Sequence, residues 1–279
     1  MDIKTVSLAV PAECPNNCEF CISNTRESKY EFPLYHGVYW DRLEKRLKFA
    51  KENNYNKLNF TGTGEPIHKK SYFEGFKAKN LNKIFKWMEI QTSGIGLDNE
   101  YLNYLKSFGI STISLSVIDM WNNENNFDIM NCKESLRYNL GKLCKKIKEK
   151  GFTLRLSVPM TDVLDDYAME EWFDRCKELS TDQVVLRTLH MPDDSSLPQY
   201  KWIKKHSIGL NEVIAIEDYL KEGSLIYKFD YDQEIRSIKG MSVMIDKDCT
   251  GQKFSNKYLV IREDGKCYHR WDKKSSIIF

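Results

Sequence analysis

The chain has 279 residues, 41% of them hydrophobic and 29% charged, which is the balance of an ordinary soluble globular protein with room for one large α/β domain or two small ones. Lys and Arg number 42 against 40 Asp and Glu, so a net charge of +2 creates no field that demands nucleic acid or an anionic membrane as partner. Met1-Asp2-Ile3 runs straight into an apolar segment, so no signal peptide is expected, and no apolar run is long enough to span a bilayer. Eight cysteines without a secretory signal fit a reducing cytoplasm, the expected location.

Short apolar segments at residues 6–10, 57–60, 85–90, 110–115, 152–156 and 183–186 read as strands. Amphipathic stretches at 40–52, 99–108, 133–150 and 169–179 lie between them. Leu136, Leu140, Leu143 and Ile147 recur at helical spacing, and Gly109 and Gly151 follow two of these stretches as stops. Strand–helix alternation predicts an α/β fold with a parallel sheet and helices outside it. Six such units make a partial (β/α)6 TIM-type barrel, whose reactive residues belong at the C-terminal strand ends. After Met191-Pro192 the pattern changes to a polar loop at 193–198, a helix at 210–220, and two strands flanking the hairpin signal Asp264-Gly265. The expected organisation is a barrel core over 1–192 and a C-terminal α+β extension over 193–279 that covers the barrel mouth.

Directly after the first strand stand Cys14, Cys18 and Cys21, in the spacing C-x3-C-x2-C. Three thiolates on one tight loop can hold three corners of a [4Fe–4S] cluster and leave the fourth iron open to a substrate. A structural zinc site is the plain alternative, but zinc wants a second half-site. Here His36 is the nearest histidine, and Cys132, Cys144, Cys176, Cys249 and Cys267 are scattered singly. The other strand ends carry small polar groups suited to a zwitterion and a ribose: Thr61-Gly62-Thr63-Gly64-Glu65-Pro66, Gln91-Thr92-Ser93-Gly94, Ser114-Leu115-Ser116 and Arg155-Leu156-Ser157. The glycine turn lacks the Lys-Ser/Thr of a phosphate loop. Each alone is an ordinary turn or strand end; their joint placement is the signal.

Cys14-Pro15-Asn16-Asn17-Cys18-Glu19-Phe20-Cys21, followed by Gly64-Glu65-Pro66, resembles the radical S-adenosylmethionine superfamily over roughly residues 5–192, and within it the branch of the molybdenum-cofactor GTP 3′,8-cyclase and viperin. The resemblance implies that Cys14, Cys18 and Cys21 ligate the cluster and that its open iron chelates S-adenosylmethionine. One electron then splits the sulfonium, and the 5′-deoxyadenosyl radical takes a substrate hydrogen. It further implies that Phe20 lies by the adenine and that Thr63, Gly64 and Glu65 bind the methionine amino group, with Thr63 replacing the usual first glycine. Thr92, Ser93 and Ser114 are expected near the cosubstrate, and Ser157 stands where the family has a ribose-contacting Asn. Arg187, in a stretch ending Met191-Pro192, is expected to contact substrate or cosubstrate. A flavodoxin- or ferredoxin-type electron donor is the implied partner.

Arg155 and Arg187 point into the barrel, where an arginine without an anion is costly. With Lys69, Lys70, Lys247, Lys253, Arg262 and Arg270 they could form a cationic pocket, although most of these read as solvated surface. The expectation is a small anionic, nucleotide-like substrate, with peptide or RNA as the alternative and a non-enzymatic cluster or zinc protein behind both. His190 and Tyr268 are candidates to move a hydrogen atom or proton. The cyclase's second cluster has no full counterpart, since only Cys249 and Cys267, with His269, stand in the tail.

Overall fold

The computed structural model describes residues 3–25, 37–229, 233–247, 258–271 and 274–279; His36, Cys249 and Lys253 lie outside these. Alternation along each strand decides which face a residue takes. In β1 (Thr5–Ala9) and β2 (Lys57–Thr61) the apolar Val6, Leu8, Leu58 and Phe60 are fully buried in the main hydrophobic core. β3 (Trp87–Thr92) and β4 (Thr112–Ser116) do the same with Ile90, Ile113 and Leu115, and β5 (Thr153–Pro159) and β6 (Gln183–Arg187) with Leu154, Leu156, Val184 and Leu186. The alternate positions place Ser7 beside Asn59 and Asn59 beside Glu89. Gln91 lies beside Ser114, Ser114 beside Arg155, and Arg155 beside Gln183. One face is therefore greasy and the other polar.

The greasy face packs on helices. Phe60 meets Phe73 and Phe76 of α2 (Lys70–Ala78) and Phe108 of α3 (Asn99–Phe108) at ring separations of 5.2, 5.3 and 5.7 Å. Asp98 caps α3 by accepting from the Tyr101 N–H at 2.7 Å, and Gly109 ends it at φ +109. α1 (Gly37–Glu52), α5 (Leu140–Glu149) and α6 (Met169–Glu178) follow the expected pattern of one buried stripe each. The expected helix over 133–150 starts later, because the Asn139 side chain accepts from the Lys142 N–H and caps α5 there. Leu136 falls in a separate short turn of 3-10 helix and stays exposed. α2 and α4 (Asn123–Ile129) have no counterpart in the sequence reading, and Pro198, read as the edge of a loop, opens α7 (Pro198–His206).

The tail does more to the sheet than the sequence predicts. After α8 (Leu210–Lys221) come β7 (Ser224–Lys228), β8 (Glu234–Ile238) and β9 (Met241–Asp246), then β10 (Tyr258–Ile261) and β11 (Cys267–Tyr268). β9 pairs in parallel with β6, and β10 in parallel with β1. The sheet runs β11-β10-β1-β2-β3-β4-β5-β6-β9-β8-β7 without closing, so the partial barrel is widened by one parallel strand at each side. Asp264-Gly265 forms the expected hairpin, with Gly265 at φ +72 and Lys266 donating to Asp264 at 2.9 Å. Cys267 is fully buried in the apolar core, and burial pushes its thiol up to about 12. No helix among the described residues is long and apolar enough to cross a membrane.

Candidate active site

The cysteine loop leaves the C-terminal end of β1 and is held from two sides. On one side the glycine turn after β2 comes into backbone contact with it. A Cβ on Gly62 would lie 2.4 Å from the Val10 carbonyl oxygen, and one on Gly64 2.0 Å from that of Ala12. The Glu65 N–H donates to the Glu13 carbonyl at 3.1 Å. Only glycine permits this approach. On the other side the loop hangs from the end of α4: the Asn17 and Glu19 N–H groups donate to the carbonyls of Met130 and Ile129 at 3.2 and 3.3 Å. Cys18 and Phe20 pack on a small apolar cluster of Ile95, Ile118, Phe127, Met130 and Cys132.

Burial pushes the Cys14 thiol up to about 11; the Cys18 thiol is also held well above its ordinary value by burial, with Cys21 and Cys14 adding to it. The thiols thus sit near enough to feel one another, in a half-dry pocket where a thiolate needs a cation. Iron would supply that charge and draw the protons off. Among the described residues no three His, Cys, Asp or Glu side chains are gathered to hold a single metal ion. A cluster asks for thiolates on separate irons rather than for several ligands on one ion. The donor set fits a cluster with three protein ligands.

Glu65 is buried rather than open. Its carboxylate accepts from the Ser93 N–H at 2.7 Å and the Ser93 hydroxyl at 2.6 Å, and burial holds its carboxyl above the usual range. It therefore ties the β2 turn to the β3 turn. In the latter, Thr92 accepts from the Gly94 N–H at 3.0 Å and Tyr138 donates to the Ser93 carbonyl at 2.5 Å. Thr63, Gly64, Glu65, Thr92 and Ser93 are thus one connected edge beside the cysteine loop. Ser114 is fully buried, and its hydroxyl has no partner.

The anions that Arg155 and Arg187 require lie within the chain, which corrects the sequence argument for a bound anionic group. Arg155 reaches both oxygens of Glu89 at 2.8 and 2.5 Å and Gln183 at 2.5 and 2.9 Å, and Lys57 pairs with the same carboxylate. Burial opposes ionisation of Glu89, yet Arg155 and Lys57 prevail and hold its carboxyl below the usual range. Arg187 bonds Asp246 and the Ser157 hydroxyl, each at 2.9 Å. Ser157 is therefore engaged by Arg187, and Asp246 comes from β9, which the sequence reading did not recognise as a strand.

Phe20 lies 5.6 Å from the ring of Trp202 on α7, and Trp202 stacks on His206 at 4.5 Å. Trp202 was not singled out from sequence, where it is one aromatic in a charged stretch. His190 is half-buried in the loop three residues past the end of β6. Tyr268 is buried: its hydroxyl donates to Asp264 at 2.7 Å, and Arg262 lies 4.1 Å over its ring.

Residues 10–123 match the radical SAM superfamily. SuiB from Streptococcus suis, bound to S-adenosylmethionine, shares the fold with a TM-score of 0.63 at 17% identity, over 96% of this chain and 60% of its own. Native anSMEcpe with bound AdoMet gives 0.59 at 15%, over 95% and 73%, and the coproporphyrinogen III oxidase HemN from Escherichia coli, a radical SAM enzyme, gives 0.52 at 14%, over 88% and 64%. Other structures of the first two hold the precursor peptide SuiA and the Cp18Cys peptide. This chain spans about 60% of the length of SuiB. No curated protein sequence matches it. These structures lend no support to the expected cyclase and viperin branch.

Proposed function

From the radical SAM superfamily pattern of residues 10–123 and the fold that carries it, we infer that this chain is a radical S-adenosylmethionine enzyme. Cys14, Cys18 and Cys21 would hold a [4Fe–4S] cluster through three thiolates. When bound, that cluster supplies the electron that splits the S-adenosylmethionine sulfonium into methionine and a 5′-deoxyadenosyl radical, which takes a hydrogen atom from substrate. The single observation behind this reading is a three-thiol loop pressed against the Gly62–Gly64 turn at the C-terminal end of a parallel barrel.

The chain's own residues orient and exclude. The edge of Thr63, Gly64, Glu65, Thr92 and Ser93 presents backbone carbonyls and hydroxyls to the methionine amino group, and Glu65 keeps the two turns in register. Phe20 and Trp202 form an apolar wall on the loop, so that α7 shields it from water. His190, in the loop after β6, would exchange a hydrogen atom or proton with substrate. A flavodoxin- or ferredoxin-type protein delivers the electron.

A strictly anionic substrate loses its main argument once Glu89 and Asp246 satisfy the two arginines. A peptide substrate is the second reading, supported by the peptide complexes of the structural relatives. Anaerobic reconstitution tests the reaction class: the expected result is about four irons per chain and release of 5′-deoxyadenosine with dithionite, both lost in Cys18→Ala. Colourless protein carrying zinc would end the proposal.

A further inference from the structure

Helix α7 touches the cysteine loop on one flank and is open to solvent on another. Trp202 meets Phe20, which stands between Cys18 and Cys21, at 5.6 Å. The backbone of α7 also runs beside the turn of 3-10 helix at Ile22–Thr25, directly after Cys21. Ile203 is buried, and the far end is pinned: His206 Nδ1 lies 2.8 Å from Asp162, and Ser207 pairs with Thr161. Residues three and four apart share one face of a helix. Lys201, Lys204 and Lys205 therefore stand together, opposite Ile203, and all three are exposed. Among the described residues no carboxylate pairs with any of them. In a chain whose net charge is only +2, this is a local concentration of unanswered cations.

We propose that this lysine face is the docking surface for the electron carrier, a small protein with an acidic rim around its redox group. The inference rests on the radical enzyme reading and names where that site meets its partner. One electron leaves the carrier and enters the cluster; no atom or proton passes between the two proteins. Electron transfer slows steeply with distance, so the carrier needs a landing place against the cysteine loop itself. Helix α7 combines contact with that loop and cations left for a partner, and the Trp202 and Phe20 rings fill the gap between the docked face and Cys21. Redox encounters bury little area and are steered by charge, which suits long lysines on a firmly held helix. An acidic substrate peptide is the other macromolecule such a face could hold. A substrate must reach the strand ends inside the barrel, however, and these lysines lie on the solvent face of α7.

Thermophoresis of the reconstituted full chain with an oxidised flavodoxin of negative net charge reads docking without any chemistry. Lys201→Glu, Lys204→Glu and Lys205→Glu together should weaken binding about tenfold at roughly 50 mM salt, and the gap should close near roughly 0.5 M, where the charges are screened. Three glutamates oppose the helix dipole toward the C-terminal end of α7, so glutamines at the same positions decide the comparison where the reversal does not fold. Reduced flavodoxin should drive 5′-deoxyadenosine release in the wild type and fail to do so in the variant at low salt, while dithionite, which needs no docking surface, serves both alike. Equal flavodoxin affinity in wild type and variant, binding indifferent to salt, or flavodoxin-driven release that the variant retains in full overturns the proposal. A polyglutamate peptide that binds this face more tightly than flavodoxin would give it to an acidic peptide and overturn the proposal as well. Docking that the variant loses, in a chain that releases no 5′-deoxyadenosine with dithionite, would keep the surface and sink the enzyme reading.

Discussion

Gly64 has no room for a side chain, since a Cβ there would lie 2.0 Å from the Ala12 carbonyl oxygen and 2.8 Å from two carbonyl carbons of the loop. These are backbone atoms, so nothing can rotate aside. Gly64→Ala should cost ~1–3 kcal/mol by overpacking, and should move the cysteine loop off its support. A urea melt checks the first effect and iron per chain after reconstitution checks the second. Unchanged values in both would show that the turn and the loop do not depend on one another. Glu65 acts at the same scale but through its hydrogen bonds to Ser93. Ser93→Ala removes the shorter of the two and leaves the backbone one. The expected effect is a weaker S-adenosylmethionine affinity with the iron content intact, measured by equilibrium dialysis.

Between the elements, the barrel interior is held by charge rather than by grease. Glu89 on β3 joins Lys57 on β2 to Arg155 on β5, bridging strands that are not neighbours through one carboxylate that is 1% exposed. Glu89→Gln strands two cations, so the expected loss is ~3–5 kcal/mol, read from denaturant melts. A carboxyl held below its ordinary value of 4.5 contributes stability above that value and loses it as the pH falls. The wild type should therefore weaken as the pH drops below about 4.5, and Glu89→Gln should show a shallower acid limb. Helix α7 supplies the other prediction of this kind. Trp202→Ala removes the ring that covers Phe20, so air should bleach the reconstituted cluster several-fold faster, followed by visible absorbance. An unchanged bleaching rate would remove α7 from the shield.

For the whole molecule, the tail is built into the sheet from both sides. β10 covers the free edge of β1 and β9 covers that of β6, and β9 also delivers Asp246 to Arg187. A chain ending at residue 192 would expose two parallel strand edges and take the Asp246 carboxylate from Arg187. It is expected to aggregate, as gel filtration would show; a monomeric, cooperatively melting 1–192 fragment would mean that the barrel core stands alone.

Local pattern alone reached far into this protein. The run Val6-Ser7-Leu8-Ala9-Val10 before a C-x3-C-x2-C loop, and the alternation of short apolar runs with amphipathic stretches, were enough for the six-stranded parallel core and for the cysteine loop on which the proposed reaction class rests. Those signals are short-range: a strand needs only its own alternation, and a ligand loop only its own spacing. What Arg155 and Arg187 face could not be read this way. Glu89 lies 66 residues from Arg155 and Asp246 lies 59 from Arg187, and nothing in the spacing says that either carboxylate turns inward to meet them. The same holds for Trp202 over Phe20, which meet only once α7 is folded against the cysteine loop. Charge pairing and cavity shape are properties of residues brought together across the barrel, so only the tertiary structure could decide them.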